Sequence, residues 1–466
     1  MSIVRFSLAR LLKYLSVLLL TFIILFICLY KVYADKKPWI NKPIEGPTSI
    51  GTINLGSKIL GNYTEDFSTV VAVSFSGGGT RSAAFSYGVL EGLRDSKITR
   101  DNLNISLLDE VELVSGVSGG SILATYFVAF GAKTFTSFKD NFLYVNYHNN
   151  YMRAILRPAK FFAIMSPWYG RGSLLTDDLN ELFEEKTFGN LPGRPRLLVT
   201  ATDLSSSTEF PFTYEQFALI CSDLNSVPLA YAAGASSSVP LVFTPITLKN
   251  YTITDQCSEK PTLQISQGKR LQPRERALLR ARESYLNSPE KKYIHLVDGA
   301  VTDNLGLRSL VDQLKTEGMA SLVDTAPPQS VRRLVFIVVN SEASSNSDIQ
   351  QERTVPNSAQ VINAIRSNTF SRASGTLTSS LEEAIYDWKK EFEQGDASSP
   401  FAKDAQIHLI SVNIRDIPSE EMREKLSKVP TALQLPNNIV DELIVAGKQT
   451  LFSSPGYVSL MKELSR

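Results

Sequence analysis

Histidine and cysteine are scarce in this chain, with three of each in 466 residues. His148, His295 and His408 lie far apart, and Cys28, Cys221 and Cys257 show no metal-ligand spacing. The pattern therefore holds no His/Cys metal centre and points to no cofactor. Charge of one sign is also lacking: 48 Lys and Arg against 47 Asp and Glu leave +1. That balance gives no footprint for nucleic acid. No internal repeat is present. At 43% hydrophobic and 20% charged residues, the chain can bury a sizeable core.

What is present begins with one long apolar run. Residues 14 to 30, YLSVLLLTFIILFICLY, carry no charge, and Leu11 and Leu12 extend the stretch. It nears the ~20 residues that cross a bilayer core. Arg5, Arg10 and Lys13 precede it, and Lys31, Lys36 and Lys37 follow, so the positive-inside signal is nearly balanced. The acid-free, positive start favours an N-terminus inside. Two readings of residues 1–34 stand. One is a transmembrane anchor, which the length of the run favours. The other is a signal segment cleaved after Val32-Tyr33-Ala34. Bulky Ile27 argues against a lipoprotein site at Cys28. Both readings export the rest, on the periplasmic or luminal side or by secretion. There a Cys221–Cys257 disulfide or two buried thiols are equally acceptable.

Residues 35–66, with Pro38, Pro43 and Pro47, read as a linker, and 67–466 as the folded domain. Strand patterns at 69–75, 111–115, 196–204, 293–297, 333–340 and 406–413 alternate with helical ones. This predicts an α/β fold around a mostly parallel sheet covered by helices on both faces. Two polar helices are expected at 268–286, solvated with its apolar side on the core, and at 358–394, bent near Gly375.

Two glycine-rich corners fall between strand and helix. Gly116-Val117-Ser118-Gly119-Gly120 fits G-x-S-x-G, in which a sharp turn holds a serine in a strained, exposed conformation. Ser76-Gly77-Gly78-Gly79-Thr80-Arg81 can aim several backbone amides at one point, as an oxyanion hole requires. A phosphate loop would need a Lys followed by Ser or Thr, which is missing. Arg81 is expected to brace the loop. The serine needs a base. His148 lies in a polar tract, His408 inside a late strand and His295 mid-strand, so each reads as structural. Asp298 follows strand 293–297 and precedes Gly299, which places it at a sheet edge where ligands bind.

SGGGTRSAAFSYGVLEGL (76–93), GVSGGS (116–121), ATDL (201–204), ASSSVPLVFTP (235–245) and HLVDGAVTDNLGL (295–307) occur in this order. As an ordered set they resemble the patatin-like phospholipases, and AGKQTL (446–451) is similar to that family's closing helix. The resemblance implies a three-layer sandwich and a Ser–Asp dyad without histidine. It makes Ser118 the nucleophile and Asp298 the base. Gly77, Gly78, Gly79 and Arg81 match the oxyanion loop, and Gly119 follows the nucleophile. It implies no metal. Ser76 stands where the family often has Asp or Gly, and Ala300 replaces the second glycine of D-G-G. The implied activity is lipid acyl-ester hydrolysis of the phospholipase A or lysophospholipase type, with phospholipid or lysophospholipid as substrate and a bilayer nearby. FFAIMSPWYG (161–170) suits an acyl groove or core packing. Two other readings stay open. One is an α/β-hydrolase with a Ser–His–Asp triad. The other is a catalytically silent membrane-tethered scaffold.

Overall fold

A computed structural model describes residues 2–34, 39–45, 52–53, 68–100, 103–147, 156–166, 168–257, 259–263, 271–323, 325–342, 349, 353–394 and 398–464. His148 lies outside them. Eight strands form the central sheet: β1 (Thr69–Phe75), β2 (Val111–Gly116), β3 (Arg196–Asp203), β4 (Thr208–Pro211), β5 (Ile246–Lys249), β6 (Tyr293–Val297), β7 (Val331–Asn340) and β8 (Phe401–Asn413). Their spatial order is β8-β7-β1-β2-β3-β6-β5, with β4 also on β3.

The sheet is mixed. β8, β7, β1, β2 and β3 pair in parallel. β4 and β6 run antiparallel to β3, and β5 antiparallel to β6. The expectation of a mostly parallel sheet thus holds for one half only. In the other half the strands reverse direction: β4 returns on β3 through a short turn, and β5 and β6 run antiparallel across a connection that holds the helix Pro273–Asn287.

Alternation along the strands explains why both faces are covered. Val71, Val73 and Phe75 of β1 enter one apolar cluster, while Val70 and Ala72 enter the other. In β7, Val335, Ile337 and Val339 face the first cluster and Leu334, Phe336 and Val338 the second. Such a period of two, apolar on both sides, belongs to a strand buried between two layers. Helices α2 (Thr80–Asp95), α3 (Gly119–Phe130), α6 (Leu229–Ser236) and α9 (Asn437–Ser453) supply one layer. Helix α7 (Arg308–Glu317) and the second half of α8 (Ser358–Gln394) supply the other. Two shorter helices near the site are α4 (Pro158–Ile164) and α5 (Arg171–Leu182). Helices α2 and α9 touch backbone to backbone: a Cβ on Gly88 would lie 1.9 Å from Ile444 O, and one on Gly447 2.0 Å from Phe85 O.

Several local expectations change. α8 passes through Gly375 as one helix of 37 residues, so the expected bend is absent from its hydrogen bonding. The arginine-rich helix spans Pro273–Asn287, and it turns Arg282 inward and pairs Arg274 with Asp312, so two of its arginines face the body. Residues 39–45, read above as part of the linker, are pinned to the domain. Asn41 is fully buried, its amide donating to Ser222 Oγ at 2.8 Å and to Lys249 O at 3.0 Å. Ile44 N–H donates to Cys221 O at 3.1 Å, and Cys221 is disulfide-bonded to Cys257. Helix α1 (Ser2–Ala34) holds the apolar run Leu12–Val32, 21 residues long and exposed. At 1.5 Å per residue that run measures about 31 Å, a bilayer core's thickness. Length and composition fit either a membrane anchor or a signal segment.

Candidate active site

The register of the sheet decides where the reacting groups meet. β2 climbs to Gly116, level with Val199 of β3. β6 runs the other way and ends at Val297, level with Thr202. The two strand ends therefore approach each other, and just beyond them stand Ser118 and Asp298. The Asp298 turn lies hard against the end of β2: a Cβ on Gly299 would be 2.3 Å from Thr200 O and 3.1 Å from Val117 Cγ1. Asp298 thus reaches Ser118 from a strand of opposite direction, not from the parallel edge expected above.

Ser118 Oγ donates a 2.9 Å hydrogen bond to Asp298 Oδ2. Both residues are buried, at 6% and 2% exposure. Each is held from behind. Ser118 N–H donates to Ser236 Oγ at 2.9 Å. Asp298 Oδ1 accepts from Ala300 N–H at 2.9 Å, its own N–H donates to Ser238 O at 2.9 Å, and its carbonyl accepts from Thr202 Oγ1 at 3.0 Å. One carboxylate oxygen is thus engaged by the turn and the other aimed at the serine. Ser118 sits at φ 50°, ψ −127°, a conformation that costs a non-glycine residue roughly 1–3 kcal/mol. Such strain fits a nucleophile at a sharp elbow.

The glycine loop closes over this corner. A Cβ on Gly119 would lie 2.0 Å from Gly79 O, so the elbow and the loop touch through bare backbone. The N–H groups of Gly78, Gly79 and Gly119 have no acceptor among the described residues. Gly77 differs: its N–H donates to Asn304 O at 2.9 Å, so it is taken out of the expected oxyanion donors and acts as the loop's fixed end. Arg81 is 3% exposed. Its guanidinium donates to Ser341 O at 2.8 Å, to Val429 O and to Thr431 Oγ1. It braces the loop from beneath and faces away from solvent.

A cavity of about 620 Å³ opens above Ser118, Gly79 and Gly119. Its walls come from Tyr147, Arg171, Ser237, Val239, Val242, Phe243 and the stretch Thr431–Pro436. Arg171 is the one charged residue among them. Thr80 N–H donates to Ala432 O at 2.8 Å, which ties the last stretch to the glycine loop. Sequence patterns gave no sign of Arg171 or of 431–436. The aromatic run 161–170 does not line the cavity. Phe162 is buried, whereas Phe161, Met165 and Trp168 are exposed.

The described histidines are engaged elsewhere. His295, exposed on β6, shares a 2.9 Å hydrogen bond with Thr247 Oγ1. His408, on edge strand β8, contacts Glu463 Oε2 at 3.0 Å, and burial lowers its pKa. Among the described residues, no group of three His, Cys, Asp or Glu is placed to hold a metal.

The profile of the family described as "Patatin-like phospholipase" matches residues 73–311, about half of the chain, and takes in both corners and the Asp298 turn. The chain belongs to the patatin-like phospholipase family. The brace at 429–432 and the closing helix lie beyond the part that the family profile matches. No curated protein sequence matches the chain. Among solved structures, human GIVD cytosolic phospholipase A2 is similar at 12% identity and a TM-score of 0.42, over 86% of this chain and 61% of that one. VipD from Legionella pneumophila is similar at 11% identity and a TM-score of 0.30, over 88% of this chain and 70% of that one. This chain therefore spans less than two thirds of the length of the human protein.

Proposed function

We propose that this patatin-like protein is a membrane-tethered serine acyl hydrolase that cleaves ester bonds of phospholipids or lysophospholipids through an acyl-enzyme on Ser118, with Asp298 as base. The observation that carries the reading is the 2.9 Å hydrogen bond from Ser118 Oγ to Asp298 Oδ2 beneath amides that lack acceptors. Ser118 Oγ attacks the ester carbonyl carbon while its proton passes to Asp298 Oδ2. A carboxylate is a far weaker base than an alkoxide and cannot ionise serine beforehand, so proton transfer accompanies the attack. The new oxyanion accepts hydrogen bonds from Gly78, Gly79 and Gly119. Collapse breaks the ester bond, and Asp298 returns the proton to the leaving alcohol. Asp298 then takes a proton from water, whose oxygen attacks the acyl-enzyme. The fatty acid leaves and Ser118 recovers its proton.

Arg171 at the cavity wall supports a substrate with an anionic head group. The Cys221–Cys257 disulfide supports an exported domain, with α1 as anchor or as cleaved signal. The test is a lipid panel with products identified by mass spectrometry. Wild type releases fatty acid, and Ser118→Ala and Asp298→Asn release none above background. A fluorophosphonate probe labels wild type and not Ser118→Ala. Tyr147 lines the cavity, so its neighbour His148 supplies the discriminating control. Loss of hydrolysis in His148→Ala, with Asp298→Asn still active, replaces the dyad by a triad.

A further inference from the structure

Exposed apolar side chains lie beside the cavity mouth and near the contact of α4 with helix α1. Leu241 is 75% exposed and Trp168 is 56% exposed, with Phe161, Met165 and Val242 between 41% and 49%. Two contacts show that these residues share one surface. Arg171 Nη2 donates to Leu241 O at 3.3 Å, and Gly172 N–H donates to Thr244 Oγ1 at 3.0 Å, so the stretch after Trp168 lies on the stretch after Leu241. At the far end, the ring of Phe162 on α4 meets the ring of Phe26 on α1 edge-on, 5.0 Å between centroids. At the near end, Val242 and Arg171 line the cavity itself.

The depth of that aromatic contact says what covers the surface. Phe26 lies six residues before Val32, the end of the apolar run. At 1.5 Å per residue this is about 9 Å inside the run. Helices that lie in a membrane interface bury their apolar side by about 5–10 Å. If α1 spans a bilayer, α4 cannot touch Phe26 without entering the acyl region itself. Trp168 is the residue type that gathers at the boundary between head groups and acyl chains. Leu241 adds an independent sign. It holds φ 71°, costly for a leucine, yet its side chain points into solvent and adds nothing to the core.

We propose that the rim formed by Phe161, Met165, Trp168, Leu241 and Val242 is inserted in the bilayer leaflet beside α1, so that the cavity over Ser118 opens onto lipid and its substrate enters sideways from that leaflet. The inference rests on the lipid-hydrolase reading and on α1 as an anchor. Each acyl chain then reaches the cavity without crossing water.

The full-length protein is reconstituted into phosphatidylcholine–phosphatidylglycerol vesicles containing acyl-brominated phosphatidylcholine. The chain has three tryptophans, and of the two others Trp388 is buried and Trp39 half-buried. Emission is expected to be quenched in wild type, with most of the quenching lost in Trp168→Phe. Leu241→Gly suits the backbone at φ 71° and keeps the fold. It is expected to lower hydrolysis of vesicle lipid at least fivefold while leaving hydrolysis of a water-soluble short-chain ester unchanged. Trp168→Asp is expected to do the same more strongly. Emission of Trp168 that is quenched by aqueous iodide and not by bromolipid overturns the proposal. So does a Leu241→Gly variant with full vesicle activity, or rim-to-rim crosslinking between two copies. Wild type that is quenched by bromolipid but hydrolyses neither substrate overturns the enzymatic reading instead and leaves the docked surface standing.

Discussion

Ser118 and Asp298 stand just past the ends of two sheet strands, β2 and β6, whereas the cavity above them is walled by residue 147, the start of α5 at Arg171, residues 237, 239, 242 and 243, and the stretch 431–436. The floor is held by the sheet's register and by hydrogen bonds to Ser236, Ser238, Ala300 and Thr202. Few side chains there can change without moving the reacting atoms. The walls are set by loop-to-loop contacts, and five of their residues, Arg171, Val242, Thr431, Gln434 and Pro436, are exposed. The contrast separates chemistry from substrate choice. Under the proposed function, a rigid scaffold fixes how an ester is broken, and the connections above it decide which ester arrives.

Four substitutions probe that contrast. The largest effect falls on the floor. Asp298→Asn removes the base and keeps the shape, and kcat/KM should fall by about 10³–10⁴, the loss typical of a missing member of a serine-hydrolase site. Circular dichroism should be unchanged. Retained activity would mean that the floor does not perform the chemistry. Next comes the seam between floor and wall. A Cβ on Gly79, at φ +61°, would sit 2.3 Å from Ala432 O. Gly79→Ala should displace the oxyanion loop and cost about 10²–10³ in kcat. Gly193→Ala, with open space around it, serves as control and should leave turnover unaltered.

The walls should answer differently. Arg171→Gln should raise KM for anionic phospholipid about five- to tenfold with kcat nearly constant, and leave neutral ester substrates untouched. A fall in kcat for every substrate would place Arg171 in the chemistry and erase the distinction. The smallest effect concerns the helix that presents Arg171. Burial, with the Glu181 and Asp177 carboxylates beside it, pushes the Asp178 carboxyl from 3.8 up to about 6. A raised acid binds protons more tightly folded than unfolded, so wild-type stability falls as pH rises from about 4 to about 6, then levels. Asp178→Asn should flatten that slope and gain about 1 kcal/mol at pH 7, after allowance for solvent screening. Calorimetric Tm values at pH 4 and 7 check both the sign and the size.

The corners that carry Ser118 and Asp298 were legible in the sequence because glycine marks the points where a strand stops and backbone must pass close by, and the family resemblance paired them. The direction of β6 was not. YIHLV has the same period of two whichever way it runs, and its sense is set by the long connection from β3 through β4, α6, β5 and the helix Pro273–Asn287. The error did no harm to the site, since β3 extends past Val199 and offers β6 a partner at the right height. The glycine loop was legible as a group, but its members were not legible singly. All three glycines look alike, and Gly77 differs only through Asn304, 227 positions away. The stretch 431–436 left no mark because its ties to the glycine loop, Thr80 N–H to Ala432 O and Arg81 to Thr431 Oγ1, use groups too common to stand out in a sequence. The run 161–170 misled for another reason. Aromatic side chains suit a groove, a core and a lipid-facing surface equally, and composition alone does not separate these.

The pinning of residues 39–45 has a consequence for reach. Between Ala34, the last residue of α1, and Trp39 lie five peptide steps, which extend at most about 18 Å. With Asn41 fully buried, those five steps set the greatest distance between the end of α1 and the domain. An anchored molecule would therefore graze only on the sheet of lipid it is rooted in. Vesicles carrying the protein should consume their own lipid and spare labelled lipid in neighbouring vesicles, however long the two populations are mixed.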